Sequence, residues 1–231
     1  MIEFRNISKK FGQLEVLDGL HLTIDKPEIL AVLGPNGSGK TTLIKSLLGM
    51  VIPTKGEIVL NNAVINGGHL YRKEVSYLPQ IANFPANLTI RELFTMIKDI
   101  RSQEAHEEDL ITQFNLTKDL DKKFGHLSGG TKQKVNLVLT FMFDSPLLVL
   151  DEPTVGLDPV SLITLKKLIR EASNEGKYII VTSHIIGFVE EMADEIVFLL
   201  DGKIHFKGSI SELKVKTNQT NLESSIAQLL S

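Results

Sequence analysis

Four short stretches of the chain are apolar almost without a break: Ile29–Leu33, Leu147–Leu150, Tyr178–Thr182 and Ile196–Leu200. Runs this short, rich in Ile, Val and Leu, predict strands buried on both faces, as in a parallel sheet. Between them the period lengthens to that of a helix. Lys40–Leu48 is one such segment, with Gly49 as its stop. Pro159–Ser173 is another, with Leu162, Leu165 and Ile169 on one face and Asn174 and Gly176 closing it. Strands alternating with helices indicate an α/β core.

The flanking pattern differs. Ile2–Ile7, Val16–Ile24 and Glu57–Ile65 read as strands of a smaller antiparallel sheet, with Asn61-Asn62 as a turn. Residues 82–145 are patterned as helices, and Thr89 and Glu92 have capping-box spacing at the start of one of them. The expected organisation is therefore a core with its antiparallel part over 1–81 and 146–208, a helical insertion over 82–145, and a tail over 209–231. In the tail Ser209 and Glu212 repeat the capping-box spacing, and Lys214–Thr220 reads as loop. Leu222, Ile226 and Leu229 fall on one face of a short helix, to which only packing is assigned.

Composition narrows the partners. With 42% hydrophobic and 23% charged residues in 231, the chain can bury a full core. A net charge of −3 supplies no basic field for gripping phosphodiester backbones, which argues against nucleic acid as the main partner. The absence of cysteine excludes disulfides, thiolate metal sites and cysteine nucleophiles. Glu3 and Arg5 interrupt the apolar stretch a signal peptide needs, and no apolar run approaches the ~18 residues that span a bilayer. A cytoplasmic chain is expected, and any membrane span would come from another polypeptide.

The strongest chemical signal is Gly34-Pro35-Asn36-Gly37-Ser38-Gly39-Lys40-Thr41, a G-x-x-x-x-G-K-[ST] run that follows a predicted strand and opens a predicted helix. Glycines let successive N–H groups turn toward phosphate oxygens, and the helix start adds the positive end of its dipole. Lys40 is expected at the β- and γ-phosphates, Thr41 on Mg²⁺, and Thr42 as a further phosphate contact. Alone, the run says only that a nucleotide is bound, leaving kinases, GTPases and motors open. A second signal is the predicted strand Leu147–Leu150, which delivers Asp151 and Glu152 at its carboxyl end, where α/β proteins bind ligands. Asp151 is the natural partner of Mg²⁺. Glu152 can orient and deprotonate a water. The competing reading is a solvent-facing acidic turn closed by Pro153.

Residues 127–133, Leu-Ser-Gly-Gly-Thr-Lys-Gln, resemble the LSGGQ signature of the ABC ATPases. The phosphate-binding run lies well before it and LLVLDEP shortly after, the family's order and spacing, so the resemblance covers nearly the whole chain. It implies a P-loop ABC-ATPase fold and ATP hydrolysis with Mg²⁺. It also implies a head-to-tail pair of cassettes, here expected to be a homodimer, working on transmembrane permease subunits. Ser128, Gly129 and Gly130 would contact the γ-phosphate held by the opposite protomer, although they also suit a capped helix start. Thr131 stands where the family usually has glutamine.

Further positions match by resemblance. Gln80, after Tyr77-Leu78-Pro79, is similar to the glutamine that senses Mg²⁺ and the permease, or is a polar loop residue. Gly156-Leu157-Asp158 is similar to the D-loop, while Asp158 with Pro159 equally suits an N-cap. His184, after a predicted strand, resembles the γ-phosphate switch histidine. Phe11 stands where the family stacks an aromatic on adenine, or packs in the core. The other histidines lack metal-ligand spacing. Residues Leu127 through Phe143 and on to Pro159 are also similar to the copper-processing ATPases of nitrous oxide reductase maturation. Two alternatives remain at this point: a non-transport ABC ATPase in assembly or repair, and a regulatory module that binds ATP but hydrolyses it weakly.

Overall fold

The computed structural model describes residues 1–65 and 69–230. In chain order the elements are β1 (Ile2–Phe11), β2 (Leu14–Ile24), β3 (Ile29–Leu33), α1 (Lys40–Leu47), β4 (Lys55–Leu60), β5 (Ala63–Val64), β6 (Val75–Leu78), α2 (Ile90–Arg101) and α3 (Glu107–Gln113). There follow α4 (Gly129–Phe141), β7 (Leu147–Asp151), α5 (Pro159–Asn174), β8 (Tyr178–Thr182), α6 (Ile186–Met192), β9 (Glu195–Leu200), β10 (Lys203–Gly208), α7 (Ile210–Thr217) and α8 (Leu222–Leu229). The expected α/β class is what is found. The chain divides into two compact units, Met1–Arg72 with Tyr178–Ser231, and Lys73–Lys177.

The first unit contains two sheets. One is antiparallel, in the order β2-β1-β4-β5. Its β4–β5 hairpin turns at Asn61 and Asn62, both with positive φ, a conformation asparagine tolerates better than most residues. In the other, β3 lies between β8 and β9, parallel to both, and β10 runs antiparallel to β9. β3 is buried at every position, which explains its unbroken apolar sequence.

The tail corrects one expectation. Lys214–Thr217 is not loop, because α7 runs from Ile210 through Thr217 and ends at Asn218 with φ 52°; only residues 218–220 form the expected loop. The Ser209–Glu212 capping box starts that helix, and buried Leu213 and Thr217 hold its inner face. The Thr217 hydroxyl donates to the Leu213 carbonyl at 2.8 Å and shares a hydrogen bond with Ser225 of α8 at 3.0 Å. Lys214 and Lys216 lie in the last turn of this helix, and Lys214 pairs with Glu190 at 3.0 Å.

In the second unit β6 and β7 pair in parallel, Val75 opposite Leu147 through Leu78 opposite Leu150. The capping box at Thr89 is present and starts α2. α4 is the central helix of the unit, packing on β6, α2, α3 and α5. Arg101, at the end of α2, ties the layers together by donating to the carbonyls of Lys73 and Val75 and stacking on Phe143.

Candidate active site

In the first unit the loop from Gly34 to Gly39 leaves β3 and enters α1 directly. Gly34 has φ 145°, and a Cβ on it would overlap the Leu199 carbonyl oxygen at the end of β9. No other residue type fits there, and Gly37 and Gly39 also have positive φ. The loop is tied down from behind: the Gly202 amide donates to the Ser38 carbonyl at 3.2 Å, and the Asp18 amide to the Gly202 carbonyl at 3.1 Å. The Lys40 ammonium lies across the loop, donating to the carbonyls of Gly34 at 2.7 Å and Pro35 at 3.0 Å.

Three observations fit this loop to an anion. The first-turn amides of α1 have no carbonyl within the helix to bond. No acidic side chain occupies that first turn to repel a phosphate. The buried Ser38 hydroxyl has no hydrogen-bond partner among the described residues. Thr41 is exposed and Thr42 partly so. Parallel pairing sets Val32 opposite Thr182, so Gly34 and His184 lie two residues beyond paired positions at one sheet edge. His184 is exposed there. Phe11 ends β1 at 50% exposure, which removes core packing as its role. The Lys9 ammonium lies 4.9 Å from its ring centroid.

In the second unit the register Leu78–Leu150 brings Gln80 and Glu152 to one edge in the same way, each two residues past the last pair. Gln80 is exposed there. Asp151 and Glu152 are buried, at 4% and 5% exposure, which excludes the solvent-facing acidic turn. The charge on Asp151 reaches its neighbours: the Tyr77 phenol is pushed up to about 12, first by burial and then by that carboxylate. Glu152 has φ 53°, an uncommon conformation for a residue with a Cβ and one that concentrates at functional sites.

Ser128 caps α4, accepting from the Thr131 amide at 3.2 Å. The Thr131 hydroxyl lies 2.8 Å from the Ser128 hydroxyl, so the unusual residue engages the serine directly. Ser128 and Gly129 are exposed and Gly130 is half-buried. A Cβ on Gly130 would sit 2.8 Å from the Gly156 carbonyl oxygen, which is why the second glycine is required. Asp158 caps α5 through the Ser161 amide at 2.9 Å and pairs with Lys134 at 2.6 Å. Lys134 first, then the Ser161 amide, holds its carboxyl well below the usual range. The N-cap role of Asp158 is therefore real.

Sequence reasoning missed two residues, Gln133 and Lys134, which fasten α4 to the segment after β7. The available signal was a glutamine on the inward face of a helix, in line with Leu137 and Thr140. The support of the phosphate loop by Leu199 and Gly202 left no local signal at all.

A family model described as "ABC transporter" matches residues 17–155. The chain belongs to the ABC transporter family. It is an ATP-binding and ATP-hydrolysing cassette of that family. It is 36% identical over 208 residues to the Nod factor export ATP-binding protein I of Burkholderia lata, covering 87% of this chain and 68% of that one. A solved structure described as an ATP binding subunit of an ABC transporter superposes with a TM-score of 0.94 at 28% identity over the whole of both chains. A dimeric ATP-binding cassette bound to ADP and Pi shares the fold, with a TM-score of 0.81 at 23% identity, covering 91% of this chain and 99% of that one. The finer resemblance to copper-processing ATPases finds no support in these relatives and is set aside. No helix among the described residues is long and apolar enough to cross a membrane.

Proposed function

We propose that this cassette pairs with a second copy around two ATP molecules and drives permease subunits that supply the membrane spans. The reading rests on one observation above the rest, a loop whose backbone is pressed so closely against its support that only an unbranched cradle of amides remains. Its place would be the cytoplasmic face of the membrane, reached through those partners.

Lys40 and the amides of residues 34–42 offset the charge of the triphosphate tail. Phe11, exposed at the end of β1, offers a face for the adenine. The oxygen donors of Thr41, Asp151 and Gln80 are of the hard type Mg²⁺ prefers. When bound, Mg²⁺ supplies charge neutralisation at the phosphates. Glu152 orients a water and accepts its proton, and His184 donates to the γ-phosphate. Ser128, Gly129 and Gly130 complete the γ-phosphate shell of the facing protomer, and Asp158 carries the D-loop contact across the pair. Since each nucleotide would be gripped from both copies, hydrolysis loosens the pair and the permease follows.

Turnover and ATP-dependent dimerisation of two variants test this. Glu152→Gln is expected to keep ATP affinity, lose about 10²–10⁴-fold in kcat and accumulate a dimer with ATP. Lys40→Ala should lose ATP binding itself. Undiminished hydrolysis in the first removes Glu152 as the base, and unchanged affinity in the second removes the cradle.

A further inference from the structure

The turn that carries Glu152 is weakly held by its own backbone. Its internal hydrogen bonds, from the Val155 amide to the Glu152 carbonyl and from the Leu157 amide to the Thr154 carbonyl, are long at 3.3 and 3.4 Å. A left-handed conformation at a residue with a Cβ persists only where its surroundings over-determine it. One face of α4 supplies part of those surroundings. Gln133 Nε2 donates to the Pro153 carbonyl at 3.1 Å in a fully buried bond. One turn earlier Gly130 abuts the Gly156 carbonyl, and one residue later Lys134 pairs with Asp158.

The Gln133 bond acts next to the carboxylate. Proline fixes its own φ and offers no N–H, so Pro153 has one free backbone torsion. Holding its carbonyl fixes that torsion as well. The backbone at Pro153 is then fixed, which narrows the directions open to the Glu152 side chain. A buried primary amide is costly unless it is bonded, so the same contact also keeps Gln133 in place.

We infer that Gln133 is a positioning residue for ATP hydrolysis, holding the Glu152 turn through the Pro153 carbonyl. The inference rests on the reading of Glu152 as the base. Because Gly130, Gln133 and Lys134 belong to the helix that Ser128 opens, this contact also links the signature end of α4 to the hydrolytic end of β7.

The test compares Gln133→Leu, similar in size but without a donor, with wild type, Glu152→Gln and the double variant, all as the full chain. Gln133→Leu should lower kcat at least about tenfold while KM and ATP affinity stay within about twofold. Slow hydrolysis with intact binding should also make it accumulate an ATP-dependent dimer, read by light scattering. In single-turnover measurements the double variant should be no slower than Glu152→Gln, since a residue acting through Glu152 has nothing left to position. Unchanged kcat in Gln133→Leu overturns the inference, as does an equal fractional loss in both backgrounds. If Gln133→Leu does not fold, Gln133→Met, longer and more flexible but also without a donor, carries the same comparison. Full turnover in Glu152→Gln overturns the reading of the base as well, whereas an inactive Glu152→Gln beside an unaffected Gln133→Leu overturns the inference alone.

Discussion

The loop of residues 34–39 and the segment of residues 152–158 are both short connections from a buried strand to a helix, but they are held by different means. The first is shaped by main chain: positive φ at Gly34, Gly37 and Gly39, and backbone support from Leu199 and Gly202. The second is shaped largely by side chains, from Gln133 at Pro153, Lys134 at Asp158 and Asp158 at its own helix start. A binder of phosphate oxygens needs many fixed donors, and amides provide these without rotamer freedom. A base needs one group aimed at one atom, and a network of side chains can aim it.

If that contrast is correct, a methyl group should damage the first connection most. Gly34→Ala places a Cβ into the Leu199 carbonyl at a φ that L-residues rarely adopt. A loss of about 3 kcal/mol is expected, lowering Tm by roughly 6–12 °C and abolishing ATP binding. Calorimetry and nucleotide titration check this, and normal ATP affinity in the variant would mean the loop is not main-chain determined.

A smaller effect probes the side-chain-held segment. Asp158→Ala removes an N-cap and the Lys134 partner, at a cost of about 1 kcal/mol or roughly 2–4 °C in Tm at neutral pH. The folded-state carboxyl is held below its ordinary 3.8, so its contribution is fully present above that pH and is lost as pH falls through the lower folded value. The difference from wild type should therefore shrink only in strong acid. A gap that closed near pH 6 would point to another group.

The smallest change is expected at the opposite end of β3 from the phosphate loop. Glu28 is buried, with Lys26 at 3.6 Å and no hydrogen bond to either carboxylate oxygen among the described residues. Burial first, and then Glu195, pushes its carboxyl above the ordinary 4.5. Stability from this group is present below pH 4.5 and lost as pH rises through the folded value. Glu28→Gln should thus raise Tm at pH 8 by less than Asp158→Ala lowers it, with the gain vanishing below pH 4.5 and ATP affinity unchanged. A lower Tm at pH 8 would show that the ionised carboxylate is better compensated than its contacts indicate.

The sequence by itself determined the α/β class, the four buried strands, the phosphate loop and the presence of two acids at the end of β7. Each of these is written in neighbouring residues: unbroken apolar runs, glycines at fixed offsets, a carboxylate after a strand. Lys214–Thr217, expected as loop, is helix, and that is evident only once Leu213 and Thr217 are known to be buried. Only the tertiary structure decided what supports the site. That Leu199 forbids a side chain at Gly34, that Gln133 grips Pro153 and that Lys134 pairs with Asp158 are facts of where residues face. Local pattern encodes burial and turn chemistry, whereas the pairing of a carbonyl with a distant donor depends on how strands and helices pack, which no short stretch of sequence contains.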